Sequence, residues 1–161
     1  MGKVLFAVLM ATGSFVHLTS NGLPEVVASH FGSGGAANGA MAKDVYTVFM
    51  LVVAIGVPLL VAGSPLLVKR LPPHLVNLPN KRHWLAPERR AESLEALGSL
   101  SMGFAAGLAI FLGFVHWLVV RANSVQPPRL EEGWFLVGLA ALGGVTVGWL
   151  VALYRRFGRV R

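Results

Sequence analysis

Five histidines are the side chains of this sequence with the widest chemical repertoire: His17, His30, His74, His83 and His116. An imidazole can bind zinc or copper, donate and accept hydrogen bonds, and change its charge near neutral pH. His17 and His116 fall within apolar segments, where a polar side chain is costly and usually faces protein or water. His30 lies in a glycine-rich loop. His74 and His83 lie in a basic segment, where we expect them to be solvated or to face lipid headgroups.

Two kinds of site can be built from these histidines. His17 and His116 lie near the same end of two apolar segments that run in the same direction, and His30 lies just beyond that end, so the three imidazoles could bind a transition metal. Alternatively, His17 and His116 could ligate a haem between helices, with Gly13 and Gly113 leaving room for its flat ring. We expect the simpler case, in which no cofactor is bound and each ring bonds a hydroxyl or carbonyl or reaches the membrane interface.

Other constellations typical of enzymes are missing from the sequence. There is no cysteine, no HExxH or GxSxG motif and no phosphate-binding loop. The acids Glu25, Asp44, Glu131 and Glu132 lie outside the apolar segments and are too scattered to predict a catalytic dyad. We therefore expect a protein that is not an enzyme. An embedded carboxylate or lysine, which transporters of protons or cations usually need, is also missing from the apolar segments.

The elements that must position these residues are apolar enough to cross a membrane. Of the 161 residues 55% are hydrophobic and 13% are charged, whereas soluble domains average about 25% charged residues. A span needs about 20 apolar residues. The first span is short and starts near Lys3, as a signal peptide does, but we interpret it as a retained helix. The prediction is an all-α membrane protein, a single domain over residues 1–161, with four spans at about 4–19, 46–68, 98–120 and 134–154.

The basic residues predict the orientation of the four spans. Residues 1–3, 69–97 and 155–161 hold eleven lysines and arginines, while the two opposite loops hold three. Cytoplasmic segments carry such an excess, so both termini and the basic loop 69–97 should be cytoplasmic, in a bacterial inner membrane. The net charge of +7 is thereby explained without nucleic acid. The expected partners are the lipid bilayer and other membrane protein chains, or a second copy of this chain.

Small residues and a helix-start signal predict how the spans pack. Two glycine pairs at a spacing of four would let helix backbones approach closely: Gly103 with Gly107, and Gly144 with Gly148. In the basic loop, Pro87 suits the first turn of a helix, and Glu88 follows near its positive end. Trp84 lies among basic residues, as in a headgroup region. We expect a short interfacial helix here, before the third span.

The loop between the first two spans, residues 20–45, carries a motif. The stretch LPEVVASHFGSGGAANGAMAK resembles the membrane family described as domain of unknown function 1648, which is itself distantly similar to SdpI-type immunity and signalling proteins. The resemblance covers about residues 1–68 and includes the order helix, motif, helix. It departs from the family at Asn38, where an acid is common, and at Ala40, which replaces an aromatic residue. The matching residues are Leu23, Pro24, Val27, His30, Phe31, Gly35, Asn38, Gly39 and Lys43.

The glycines of this motif predict an ordered loop, because they permit turns with positive φ. We expect Phe31 to pack on the helix ends and His30 to anchor the loop by bonding backbone carbonyls. Contact with a ligand or partner, or metal binding, are the alternatives for His30. The family implies no settled activity. We therefore expect a non-enzymatic accessory, sensor or immunity-like protein that acts through contacts in the membrane. The alternative is a haem- or metal-binding subunit of a membrane electron-transfer or metal-handling complex.

The orientation can be tested with fused reporters that are active only in the periplasm. A reporter after Gly35 should be active and one after Arg161 should be inactive, because the basic excess of eleven against three retains the second on the cytoplasmic side. A cytoplasm-active reporter at the same two positions is the control and should give the opposite pattern. Periplasmic activity at Arg161 would contradict the predicted orientation.

Overall fold

A computed structural model describes residues 1–160, with Pro73 described by its backbone alone. It is mostly helical, and four of its helices are long and apolar enough to cross a membrane, in agreement with the four spans predicted from the sequence. The second of these four helices is continuous but contains one wider, π-helical turn at Val52–Gly56. The elements are α1 (Gly2–Ser20), β1 (Val26–Phe31), β2 (Ala37–Ala42), α2 (Lys43–Leu51), α3 (Val57–Arg70), α4 (Lys81–Trp84), α5 (Pro87–Asn123) and α6 (Glu132–Phe157).

The long helix α5 lies at the centre of the bundle and packs against α1, α3 and α6. Small residues on α5 allow this, since Ala105 and Ala109 are fully buried against Leu5 and Leu9 of α1. Further along, a Cβ on Gly113 would lie 3.2 Å from Thr12 of α1. The space that was considered for a haem ring beside Gly113 is therefore filled by a helix contact.

The glycine pairs differ in what they contact. A Cβ on Gly107 would lie 2.9 Å from Cγ1 of Val145, so α5 and α6 approach closely there, as expected. The same Cβ on Gly103 would meet only the flexible end of Met1, at 3.2 Å. Gly144 and Gly148 would meet nothing within 4 Å. The second pair thus contributes no packing within residues 1–160 of the single chain, because it lies on a face of α6 that points away from the bundle.

The π-helical turn of the second span is explained by the proline that follows it. Pro58 has no amide hydrogen, and its ring would crowd the carbonyl of Ala54 in a regular α-helix. A wider turn over Val52–Gly56 relieves that contact, as such turns often do within longer helices. The helix then continues to Arg70, so α2, the wide turn and α3 form one continuous helix.

Two parts of the predicted fold class need correction. Residues 20–45 are not merely an ordered loop in an all-α protein, because β1 and β2 pair in this segment as an antiparallel hairpin. The short helix expected to start at Pro87 is also not separate from the third predicted span. Pro87 does start a helix, but α5 then runs without a break for 37 residues into the third span. Its first turns stay helical because Leu97 is buried and Arg90 bonds three carbonyls at the end of α3.

The contact at Gly107 predicts the effect of a larger residue. Gly107→Leu would force α5 and α6 apart, and overpacking of this kind costs about 1–3 kcal/mol, so the detergent-solubilised protein should unfold at a lower temperature. The matched control is Gly144→Leu, at a glycine with nothing within 4 Å of a Cβ, which should leave the unfolding temperature unchanged. Equal unfolding temperatures for the two variants would contradict the packing shown by Gly107.

Candidate functional site

His116 is the centre of a buried hydrogen-bonded chain that joins three helices. Its side chain on α5 is fully buried. The Nδ1 atom lies 2.9 Å from the hydroxyl of Tyr46 on α2, and the Nε2 atom lies 2.7 Å from Oγ1 of Thr19 on α1. The Phe15 ring meets the imidazole edge-on and the Tyr46 ring stacks on it. Both ring nitrogens of His116 are thus engaged.

The direction of these hydrogen bonds follows from Thr19. Its hydroxyl donates to the carbonyl of Phe15 at 2.7 Å, so its oxygen is left to accept from Nε2–H of His116. The Nδ1 atom of His116 then carries no proton and accepts from the Tyr46 hydroxyl. The chain is complete with a neutral imidazole, and every donor in it has an acceptor. This arrangement holds helices together and leaves no ring nitrogen of His116 for a ligand.

The structure does not bring together the three histidines considered as metal ligands. His17 lies two residues before Thr19 on α1, about 200° around the helix, and its side chain is exposed on the outside of the bundle. His30 is exposed on the hairpin. Residues 1–160 contain no group of three His, Cys, Asp or Glu side chains placed to hold a metal. The arrangement considered for a haem, with His17 facing His116, is likewise not formed.

The hairpin lies across the C-terminal ends of α1 and α5 and the N-terminal end of α2. Val27 is fully buried, and Phe31 packs against the same apolar cluster, which includes Val16 and Met50. The packing of Phe31 on the helix ends therefore agrees with the expectation from the sequence. The strand pairing shifts between Ala28 and Phe31, as in a β-bulge, and this shift leaves the side chain of His30 exposed.

Asn123, in the last turn of α5, clips the hairpin to the bundle. Its Oδ1 accepts from the amide of Ala28 and its Nδ2 donates to the carbonyl of Ala28, both at 2.9 Å. The same Nδ2 donates to the carbonyl of Val119 at 2.8 Å. A side-chain amide thus replaces the neighbouring strand that the β1 backbone lacks at this position.

The turn of the hairpin is attached to the connection between α5 and α6. Gly34 and Gly35 have φ of 82° and 76°, which glycine adopts without strain. The amide of Leu130 donates to the carbonyl of Gly35 at 2.8 Å, and a Cβ on Gly35 would overlap the carbonyl oxygen of Leu130. The carboxylate of Glu132 accepts from the amide of Gly34, and Nε of Arg129 donates to the carbonyl of Gly34. Glycine is therefore required here by conformation and by close approach.

Four further residues of the motif divide into two groups. Lys43 and Gly39 make structural contacts, whereas His30 and Asn38 are exposed. Lys43 pairs with Glu25 at 2.6 Å, which joins the start of β1 to the start of α2. Gly39 leaves room for His30, since a Cβ there would lie 3.1 Å from that of His30. The ring of His30 bonds the hydroxyl of Ser29 at 3.2 Å rather than a backbone carbonyl, which differs from the anchoring role expected for it. Asn38 is also exposed on the hairpin.

Three residues of this site were missed by sequence reasoning: Asn123, Tyr46 and Thr19. Each had a weak local signal, because polar side chains at the ends of apolar segments commonly satisfy buried groups. Their partners are 70 to 97 residues away in the chain, so spacing alone could not identify the pairs. A comparison with protein-family models, curated proteins and solved structures found no match to this chain. Its function must therefore be inferred from these residues.

The clip predicts that Asn123→Ala loosens the hairpin while the four long helices stay folded. The substitution leaves the amide and carbonyl of Ala28 without partners, and such groups cost about 1–3 kcal/mol when buried. Hydrogen exchange of the β1 amides should accelerate accordingly. Ser124→Ala is the matched control, because within residues 1–160 the hydroxyl of Ser124 bonds only the Val120 carbonyl of α5. Equal exchange rates of the β1 amides in the two variants would contradict the attachment of the hairpin by Asn123.

Proposed function

We propose that this chain is a non-enzymatic membrane protein that acts by contact, with the outer hairpin as its contact surface. The observation that carries the proposal is the contrast between the backbone and two side chains of the hairpin. The backbone is fixed by Asn123 and Leu130, whereas His30 and Asn38 are exposed. A surface that is ordered before binding loses less conformational entropy when a partner binds.

The motif that contains these residues supports the same proposal. Gly35, Gly39 and Lys43 have structural tasks in the hairpin. His30 and Asn38 have no comparable task, and an exposed polar residue that the fold does not use is a candidate for binding. We therefore extend the resemblance to domain of unknown function 1648 into a proposed role: an accessory, sensor or immunity-like protein, as in the distantly similar SdpI-type proteins.

The partner is proposed to be another membrane protein chain or a second copy of this chain. We also propose that both termini lie in the cytoplasm of a bacterium and that the hairpin lies on the opposite side of its inner membrane, because the basic residues favour this orientation. The large exposed apolar area of α6, for example at Leu136, Val137 and Val147, suits lipid or a partner helix. The hairpin adds a polar and specific contact to that apolar surface.

Site-specific photocrosslinking in cells tests the proposal. A photoreactive residue in place of His30, and separately of Asn38, should form a discrete adduct with one partner, whose mass distinguishes a second copy from another chain. The same residue at Ser124 is the control, since this exposed side chain lies at the same end of the bundle but off the hairpin.

A second variant makes the crosslinking specific to the hairpin surface. His30→Ala should abolish the adduct formed from position 38 without changing the unfolding temperature, because the His30 side chain is exposed and bonds only Ser29 within residues 1–160. Adducts of the same pattern from Ser124, or none from either hairpin position, would overturn the proposal.

A further inference from the structure

At the end of the bundle opposite the hairpin, the structure forms a cavity of about 610 Å³ where α6 ends. This cavity, called the arginine pocket below, lies between α6, the start of α5 and the short helix α4. Its walls combine two amphipathic aromatic residues with four arginines: Trp84, Tyr154, Arg89, Arg155, Arg156 and Arg159. The arginine pocket is far along α5 from both the hairpin and the His116 chain.

The arginine pocket has a large excess of positive charge. Within residues 1–160, Glu92 is the carboxylate that pairs with an arginine of the pocket, at 2.5 Å from Nη2 of Arg156. Among the same residues, 1–160, no carboxylate forms an ion pair with Arg89, Arg155 or Arg159. Positive charges held this close repel one another, and an anion that binds among them removes this repulsion.

Trp84 holds the pocket in shape. Its Nε1 donates to the carbonyl of Phe157 at 2.9 Å, and its ring meets the buried ring of Phe157 edge-on. Arg156 lies over the face of Trp84 at 4.7 Å from the ring centre, and Arg89 lies at 5.8 Å. Such contacts between a cation and an aromatic ring restrict the guanidinium groups before any ligand arrives.

The surroundings of the pocket favour a lipid over a soluble anion. On α6, the exposed apolar residues Val147, Val151 and Tyr154 follow one another at helical spacing and lead directly to Arg155. An acyl chain can lie along this track while its headgroup reaches the arginines. Tryptophan and tyrosine are also typical of the level where apolar chains meet headgroups.

We propose that the arginine pocket binds the phosphate of an anionic phospholipid, with an acyl chain along the exposed face of α6. Arginine suits phosphate because its planar guanidinium group can donate two parallel hydrogen bonds to two oxygens. Basic pockets between membrane helices bind such headgroups in general. This site is separate from the hairpin, so the outcome of a lipid-binding test has no bearing on the contact function proposed above.

The test measures binding of phosphatidylglycerol to the detergent-solubilised full chain by native mass spectrometry, with phosphatidylcholine as the neutral comparison. The double variant Arg155→Gln/Arg159→Gln should bind phosphatidylglycerol roughly thirty-fold more weakly, since each basic residue contributes on the order of fivefold. The control is Arg70→Gln/Arg82→Gln. It removes the same charge from two exposed arginines that do not line the pocket, and its binding should stay within about twofold of the parent.

Two further measurements close the test. Unfolding temperatures measured in phosphatidylcholine identify a pocket variant that fails to fold. In that case the single variant Arg159→Gln, at an exposed position after α6, replaces the double variant. Its affinity for phosphatidylglycerol should be roughly fivefold lower. Inorganic phosphate is added as a competitor to distinguish a soluble anion from a lipid, and it should displace little phosphatidylglycerol. Equal losses in the pocket and control variants, no loss in either, or full displacement by inorganic phosphate would each overturn the proposal.

Discussion

An imidazole that is buried among apolar helices must have both ring nitrogens hydrogen-bonded, because an unpaired polar group in such surroundings costs several kcal/mol, of order 2–7 by transfer measurements. His116 meets this requirement with Tyr46 from α2 and Thr19 from α1. One side chain of α5 thereby sets the rotation of two other helices about their axes. A helix that turned by one residue position would lose its bond to the ring, so the half of the bundle next to the hairpin has a single favoured arrangement.

The hairpin depends on this arrangement. A two-stranded hairpin is marginally stable alone in water, and here it gains its order from the helix ends beneath it. His116 and Asn123 are seven residues apart on α5, two turns along the same face. His116 positions α1 and α2, and the side-chain amide of Asn123, two turns further along α5, binds β1 of the hairpin that connects these helices. The order of the hairpin therefore depends on a polar contact inside the bundle.

Local signals in the sequence predicted the parts of the fold that local forces decide. Apolar windows located the four long apolar helices, and Pro87 marked the true start of α5. The hairpin was missed because β2 consists of alanine, asparagine, glycine and methionine, several of which are depleted in strands. Its strand conformation comes from pairing with β1. Likewise, the presence of His116 in a span predicted a polar partner, but its identity depends on residues 70 and 97 positions away.

The unbroken length of α5 has a mechanical consequence. Its 37 residues extend about 55 Å at 1.5 Å per residue, well beyond a hydrocarbon core of about 30 Å. Arg90 in its first turns is tied to the end of α3, and Asn123 in its last turn is tied to β1. A stiff rod of this kind transmits sliding or tilting from one end to the other with little loss. The two ends of the bundle are consequently coupled, and neither can be displaced along α5 without moving the other.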